Sequence, residues 1–386
     1  MDLNLKLSSN PTYKAASAAS GDIERHFAHE INEALQRGEN KLAPQPDKYI
    51  IETIIDTAFW ASLRKEEGRS PKISLAFLPP ESVDQPLIFE YPLALTANIL
   101  TKLAPAVEHP GIHLGVWYHE SELYIWGTTH EIPGYCFVLE VVEPGLLVVK
   151  HGRIDGFGKF VNVAVLKGDE IKIIDDTSIS TPDCPIMVNS LLGFTDTGSW
   201  NDTVNLHVQL AVSMRAHGRG GTLLVVPSAN DNWRDSIIHP ITYPIFPAFG
   251  ALTKLMDRDV DEVNDVIWQE ELRREIESIA GLTAVDGATI INDKNEILAF
   301  GAKITRSPGR ETVRQILVTE PIKNTRPSII PPSSDGGTRH FSAAQFVYDQ
   351  RDAFALVASQ DGRFTIFSWS PCDQIVLAYR VDSLLI

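Results

Sequence analysis

The sequence has little cysteine, too few basic residues to balance its acids, and no long apolar run. Its three cysteines, Cys136, Cys184 and Cys372, stand far apart and form no CxxC pair. That excludes a zinc ribbon and a disulfide framework and leaves buried, reduced thiols. Lys and Arg number 34 against 50 Asp and Glu, a formal net charge of −16. Such an acidic chain is not built to bind nucleic acid along its backbone, because phosphates need a basic face. A small anionic ligand stays open, provided cations are gathered locally and a metal helps. No apolar stretch approaches the roughly 20 residues of a membrane span, so no membrane partner is expected. The opening "MDLNLKLSSNPTYKAASAASGD" lacks the basic start and apolar core of a secretory signal. Residues 1–21 are therefore expected to be a mobile tail, in a cytoplasmic protein.

A chain of 386 residues is long for one core and suggests two domains. Apolar residues at helical spacing (Ile23, Phe27, Ile31, Leu35; then Ile51, Ile54, Ile55, Ala58, Phe59) predict helices over 22–37 and 47–67. Next, "LGVWYHESELYIWG", "FVLEVVEPGLLVVK" and "FVNVAVLKGDEIKII" each read as two β-rich runs around a turn. Three successive hairpins predict an antiparallel sheet. Residues 175–202 are polar and turn-rich and mark the boundary. Residues 22–195 thus form one expected domain and 203–386 a second.

In the second, "TVNLHVQLAVSMRAHG" reads as a helix and "GTLLVVP" as an apolar strand. Residues 260–280 read as an amphipathic helix with Val263, Ile267, Leu272 and Ile276 toward the core. "GATIIND" with "EILAFGAKI", and "AFALVAS" with "RFTIFSW", read as strand pairs. Helices mixed with short apolar strands point to an α+β or α/β fold.

Three polar runs interrupt these elements. In "TAVDGATII", Asp286 is either a turn-forming aspartate or a metal ligand, with Gly287 allowing close approach of a ligand to the backbone. In "DGGTRHFSAA", Gly337 and Thr338 can expose amide groups just before a helix expected to start near Ser342, and Arg339 can grip phosphate. The alternative is an exposed loop with an incidental arginine. In "ASQDGR", Ser359 and Asp361 suit a β-turn.

Taken in order, the helix, the "GRGGTLLVV" strand, "DGA", "GTRH" and "ALVASQDG" resemble the diadenylate cyclase domain of bacterial DNA-integrity scanning proteins and membrane-associated cyclases, over about residues 203–370. The resemblance implies a mixed sheet flanked by helices and the condensation of two ATP to cyclic di-AMP, with release of two pyrophosphates. It implies that Asp286 holds a catalytic Mg2+ or Mn2+ near the ribose 3′-hydroxyl and that Gly287 and Ala288 shape the nucleotide pocket. Thr338, Arg339 and His340 would contact the triphosphate. Ser359 and Asp361 fall where the family has a Ser-Glu-Glu run, so Asp361 stands as a shortened second metal ligand. One domain of this family takes one ATP, so two must face each other, and a homo-oligomer through this domain is implied.

Phe341 departs from the family, which carries a second arginine there. Losing one charge-assisted hydrogen bond in the transition state costs about 10- to 150-fold in rate. Phe341 could instead stack on a base, as in a non-catalytic nucleotide-binding sensor with a degenerate site; a weaker option is an interaction protein with a vestigial site. Residues 305–335 hold Arg306, Arg310, Arg314, Lys323 and Arg326 against Glu311, Glu320 and Asp335. They are read as a cationic lid or a solvated loop.

Near the N-terminus, His109, His113, His119 and His130 lack ligand spacing. Trp117 and Trp126 are expected to pack as core or as a cross-strand pair. This region, ahead of a cyclase-like domain, looks like the sensor domains that precede such domains, which implies an unknown small-molecule or protein signal and a regulatory role.

Overall fold

The computed structural model describes residues 12–119, 122–152, 160–175, 203–256 and 266–386. The chain folds as two α+β units, Met1–Ile174 with Ile386, and Asp175–Leu385. The division falls before the expected residue 195, because the sheet of the first unit is complete by Ile173.

The first unit opens with α1 (Lys14–Gln36) and α2 (Lys48–Ser62). Residues 14–21 are therefore helix and not tail, a correction to the reading above. Ala15, Ala16 and Ala19 are buried, favour helix strongly and let α1 pack closely, although such small residues give little apolar contrast in the sequence. Asp56 accepts hydrogen bonds from the backbone of Thr12 (2.9 Å) and Tyr13 (2.7 Å), and the Tyr13 ring stacks on Phe59 at 3.6 Å. Asp47 caps α2 by accepting from the Ile50 amide.

After α2 come β1 (Ile73–Phe77), β2 (Leu87–Ala94), α3 (Ala97–Leu103), β3 (His113–His119), β4 (Glu122–Thr129), β5 (Phe137–Glu143), β6 (Leu146–Gly152), β7 (Phe160–Lys167) and β8 (Glu170–Ile173). They make an eight-stranded sheet in the order β2-β4-β3-β1-β5-β6-β7-β8. The three hairpins are present, and the Glu120-Ser121 turn expected for the first lies outside the described residues. The sheet is mixed, not antiparallel: the wholly buried β1, absent from the sequence reading, runs parallel to β3 and antiparallel to β5. Ile23, Phe27, Ile51 and Ile54 close its core against Leu75, Phe77, Val116, Phe137 and Val149.

Trp117 and Trp126 belong to one core cluster, as expected, and are not directly opposed as a cross-strand pair. Trp117 stands opposite Tyr124, while Trp126 is buried and donates from Nε1 to the Leu78 carbonyl at 2.8 Å. Gly115 makes room for it, since a Cβ there would lie 2.0 Å from the indole. His113 is buried, its Nδ1 2.7 Å from Ser74 Oγ, which makes it a hydrogen-bonded core residue. Cys136 is buried, Cys372 is exposed contrary to expectation, and Cys184 lies outside the described residues.

The second unit comprises α4 (Thr203–Ala216), β9 (Gly221–Val226), β10 (Tyr243–Phe249), α5 (Ala251–Met256), α6 (Val266–Thr283), β11 (Ala288–Asn292), β12 (Ile297–Ala302), β13 (Ile316–Thr319), β14 (Ser328–Ile330), α7 (Thr338–Asp349), β15 (Phe354–Ala358), β16 (Phe364–Ser370) and β17 (Ile375–Arg380). Its nine-stranded sheet runs β10-β12-β11-β9-β15-β16-β17-β13-β14, with β9–β11 and β13–β17 parallel and the other neighbours antiparallel. One face carries Leu224, Val226, Ile290, Ala355 and Val357 against Ala343, Ala344, Phe346 and Val347 of α7. The alternate residues Leu223, Val225 and Leu356 point the other way along each strand and are equally buried, on strands that α4 and α6 contact.

On α6 the buried stripe is Trp268, Leu272, Ile276 and Ile279, while Ile267 is 64% exposed, so Trp268 takes the place expected of Ile267. Val263 lies outside the described residues. Residues 305–335 are neither lid nor free loop: β13 and β14 lie within them and extend the sheet, with Val313, Ile316 and Val318 buried.

Candidate functional site

The register of the sheet gathers four chain segments at one end. Ala358, the last residue of β15, pairs with Gly221, the first of β9, and β11 starts on the same side because it runs parallel to β9. Ala288, the first residue of β11, pairs with Ala302, the last of β12. Hence Arg219-Gly220, Asp286-Gly287, Lys303 and the Ser359–Arg363 turn all leave the sheet at this end.

Asp286 stands on the bend between α6 and β11 with an exposed side chain, and the Lys303 ammonium pairs with its Oδ2. That hydrogen bond and charge hold the Asp286 carboxyl below the usual carboxylate range, and the Arg339 guanidinium adds to the effect. Arg339 and Asp286, 53 positions apart, thus share one electrostatic field. Gly287 has φ +116, and a Cβ on it would lie 2.5 Å from the Gly301 carbonyl carbon. Its lack of a side chain serves a close approach of two backbones rather than of a ligand. Ala288 is buried within the sheet and lines no open surface.

The segment "DGGTRH" meets the same end of the sheet, through Arg339 beside Gly220 and Asp335 beside Arg380 at the end of β17. Asp335 is buried and accepts from Arg380 Nε at 2.9 Å, which fixes the approach to Gly336-Gly337. Gly337 is the N-cap of α7, and the helix begins at Thr338, four residues before the expected Ser342. The first-turn amides of Thr338, Arg339 and His340 therefore precede any intrahelical acceptor and carry the positive end of the helix dipole. Gly337 and Thr338 are exposed and Arg339 is half-buried. Arg339 Nη1 lies 3.0 Å from where a Cβ on Gly220 would stand, so Gly220, at φ +70, leaves space for the guanidinium.

His340 and the following Phe341 face inward, which corrects their expected roles. His340 is 2% exposed, and its ring lies edge-on to Phe367 at 5.9 Å and so close to Gly336 that a Cβ there would fall 2.6 Å away. Burial pushes its pKa down, against the upward pull of Asp335 and Asp361. It supports the first turn of α7 from below and is screened from a bound anion. Phe341 packs against the core cluster around α7 and is not presented for base stacking.

The Ser359–Arg363 turn closes the fourth side. The Ser359 amide donates to the Arg363 carbonyl at 2.9 Å, and the Ser359 hydroxyl donates to Asp361 Oδ1. Arg363 Nε lies 3.4 Å from Asp361 Oδ2. The Ser359 hydrogen bond, with smaller help from the Arg363 amide and charge, lowers the Asp361 pKa. Gln360 Nε2 donates to the Arg219 carbonyl at 3.4 Å, which ties the turn to the start of β9.

Asp286, Thr338, Arg339 and the Ser359–Asp361 turn are thus brought to one place, whereas Ala288, His340 and Phe341 belong to the packing beneath it. The sequence reading passes over Lys303 and Gly220. Lys303 could have been found from strand pairing, because a β11–β12 hairpin centred on Lys294-Asn295 puts its end beside Asp286. Among the described residues there is no group of three or more His, Cys, Asp or Glu that could hold a metal ion. A Mg2+ or Mn2+ ion that arrives with a triphosphate needs only one or two protein carboxylates. Asp286, exposed and outward, fits that part; Asp361, whose two oxygens are engaged by Ser359 and Arg363, fits it less well.

Residues 40–130 match a family described as a probable sensor domain, DACNV. Part of the first unit is therefore similar to a probable sensor domain, which hints at regulation of a partner domain. No curated protein matches the chain. Among solved structures, a hypothetical membrane spanning protein from Bacillus cereus is similar at 14% identity, with a TM-score of 0.27, over 50% of this chain and 70% of that one. Among the described residues no helix is long and apolar enough to cross a membrane.

Proposed function

We propose that the second unit joins two nucleoside triphosphates into a cyclic dinucleotide, ATP into cyclic di-AMP, under the control of the N-terminal sensor-type domain. The observation that carries this reading is the convergence of Asp286, Lys303 and Arg339 at one end of the sheet, beside the N-terminus of α7. Arg339, Thr338 and the first-turn amides of α7 hold the triphosphate, with Arg339 free to bind two phosphate oxygens at once. Lys303 releases part of its hold on Asp286 and neutralises phosphate charge. Asp286 faces the ribose and accepts a hydrogen bond from its 3′-hydroxyl, or would hold a metal ion that coordinates that oxygen.

Each 3′-oxygen attacks the α-phosphorus of the other nucleotide, forming one phosphoester bond while the α–β anhydride bond breaks and pyrophosphate leaves with the electron pair. The hydroxyl proton passes to solvent. A bound Mg2+ or Mn2+ would lower the hydroxyl pKa and offset charge at phosphorus. Two sites must face each other for the ring to close, so the active species is a homo-oligomer.

A non-catalytic nucleotide sensor is the second reading, favoured by Lys303 on the key carboxylate and by an apolar Phe341 packed into the core. Incubating the full chain with ATP and Mn2+ and analysing products by mass spectrometry separates the two. The cyclase reading requires pyrophosphate and a cyclic product that Asp286→Asn abolishes. Tight nucleotide binding with no product under either metal would establish the sensor instead.

A further inference from the structure

One feature beside the site has no place in that mechanism. Tyr243 opens β10, the outermost strand of the sheet, and pairs in register with Phe300 of β12. The two rings lie face to face, 4.6 Å apart and 11° from parallel. With Phe300 on one side and, among the described residues, no strand of the sheet beyond β10 on the other, Tyr243 remains 47% exposed.

Its ring also reaches the site. A Cβ on Gly301 would lie 2.8 Å from Tyr243 Cδ2, 3.1 Å from Cε2 and 3.6 Å from the Asp286 carbonyl oxygen. Tyr243, Gly301 and Asp286 are therefore successive neighbours, and Lys303, the partner of Asp286, is two residues past Gly301. A flat ring stiffened from behind by a second one, half exposed on the edge strand and next to a group of phosphate-seeking cations, matches what a purine or pyrimidine needs beside its phosphates. Stacking on such a ring tolerates any base because every base presents a π face.

We infer that Tyr243, backed by Phe300, is the stacking platform for the base of the nucleotide whose phosphates meet Arg339. This rests on the nucleotide reading above and deepens it: the platform sets affinity for the nucleoside end of the ligand, while Arg339 and the start of α7 set affinity for its phosphates.

The test compares two probes on the full chain in the presence of Mg2+, ATP and inorganic tripolyphosphate, by calorimetric titration. Tyr243→Ala should weaken ATP binding roughly 5- to 150-fold and leave tripolyphosphate unchanged. Tyr243→Phe should bind both like the native chain, and Arg339→Ala should weaken both. In the native complex the aromatic protons of adenine should move upfield in the NMR spectrum, and that shift should vanish in Tyr243→Ala. If the alanine variant does not fold, Tyr243→Leu, which keeps the bulk and removes the π face, carries the same comparison. Native ATP affinity in the variant without the ring, or an equal loss of both probes, overturns the platform while the phosphate site stands. Failure of the native chain to bind either probe overturns the nucleotide reading and the platform together.

Discussion

Lys303 stands on the carboxylate of Asp286, tying the end of β12 to the bend that starts β11. Both groups are well exposed, so the pair adds little to stability in water. Its effect is on charge: it keeps Asp286 ionised to lower pH than a free carboxylate and parks a cation where a triphosphate would arrive. The depressed pKa means that whatever the pair contributes is present above the ordinary value of 3.8 and is lost as pH falls below it. Lys303→Met should leave the melting temperature nearly unchanged and weaken ATP about 10-fold or more, the scale of one lost charge-assisted contact. Unchanged affinity by calorimetry would remove Lys303 from the site.

Asp286 and Asp361 are expected to part company on neutralisation. Asp361 is already satisfied within its own turn by Ser359 and Arg363, whereas Asp286 projects outward. Asp286→Asn should reduce product formation more than about 100-fold, as removal of a group acting in the transition state does. Asp361→Asn should cost less than about 10-fold, through a looser turn, on the same scale of mutant kinetics. Equal losses would restore Asp361 as a second metal ligand.

Much of this arrangement is legible in the sequence, and the exceptions share a cause. Asp286, Arg339 and the Ser359–Asp361 turn stand out because glycine-bounded polar runs between apolar strands mark where a chain leaves a sheet. Lys303 does not, since one lysine after "AFGA" is an ordinary strand end until the pairing of Ala302 with Ala288 brings it beside Asp286. His340 is misplaced for a geometric reason. A helix that begins at Thr338 turns each successive side chain by about 100°, so the neighbour of an outward Arg339 points inward. The alanine-rich start of α1 and the uniformly apolar β1 are missed because neither shows the periodic contrast on which such reading depends.

Asp335 and Arg380 form the buried link beneath the Gly336-Gly337 approach. The Asp335 side chain is 0% exposed and that of Arg380 31%. Arg380→Met leaves a buried carboxylate unpaired and should cost about 3 kcal/mol in urea unfolding, toward the low end for a broken buried pair because the arginine still meets water. Asp335→Asn in the same chain should recover part of that loss. If Arg380→Met alone unfolds like the native chain, the ion pair does not hold this loop.

The first unit carries its own pH dependence. Burial, with smaller pushes from His151 and His29, lowers the His26 pKa from 6.5 to about 3, so the folded unit keeps this imidazole neutral. The unfolded chain takes up a proton below pH 6.5 that the folded one refuses. Stability contributed by neutral His26 is therefore complete above pH 6.5 and declines as pH falls toward 3, by at most about 1.4 kcal/mol per pH unit. His26→Phe should flatten the thermal stability of this unit across that range. A variant that keeps the full acid slope would assign it to other groups.

Gly301 offers the closing test of whether Tyr243 is held where the platform needs it. Its φ is +60, a conformation that costs an ordinary residue about 1 kcal/mol, and an added Cβ would also press on the Tyr243 ring at 2.8 Å. Gly301→Ala should thus lose about 2–3 kcal/mol, part backbone strain and part collision. In a Tyr243→Ala background the collision is gone, and the same substitution should cost only the backbone share. The difference, read from a double-mutant cycle in urea, measures how firmly ring and backbone are in contact. Strict additivity would mean that Tyr243 swings clear of Gly301 at no cost, and a ring that loose could not serve as a preorganised surface for a base.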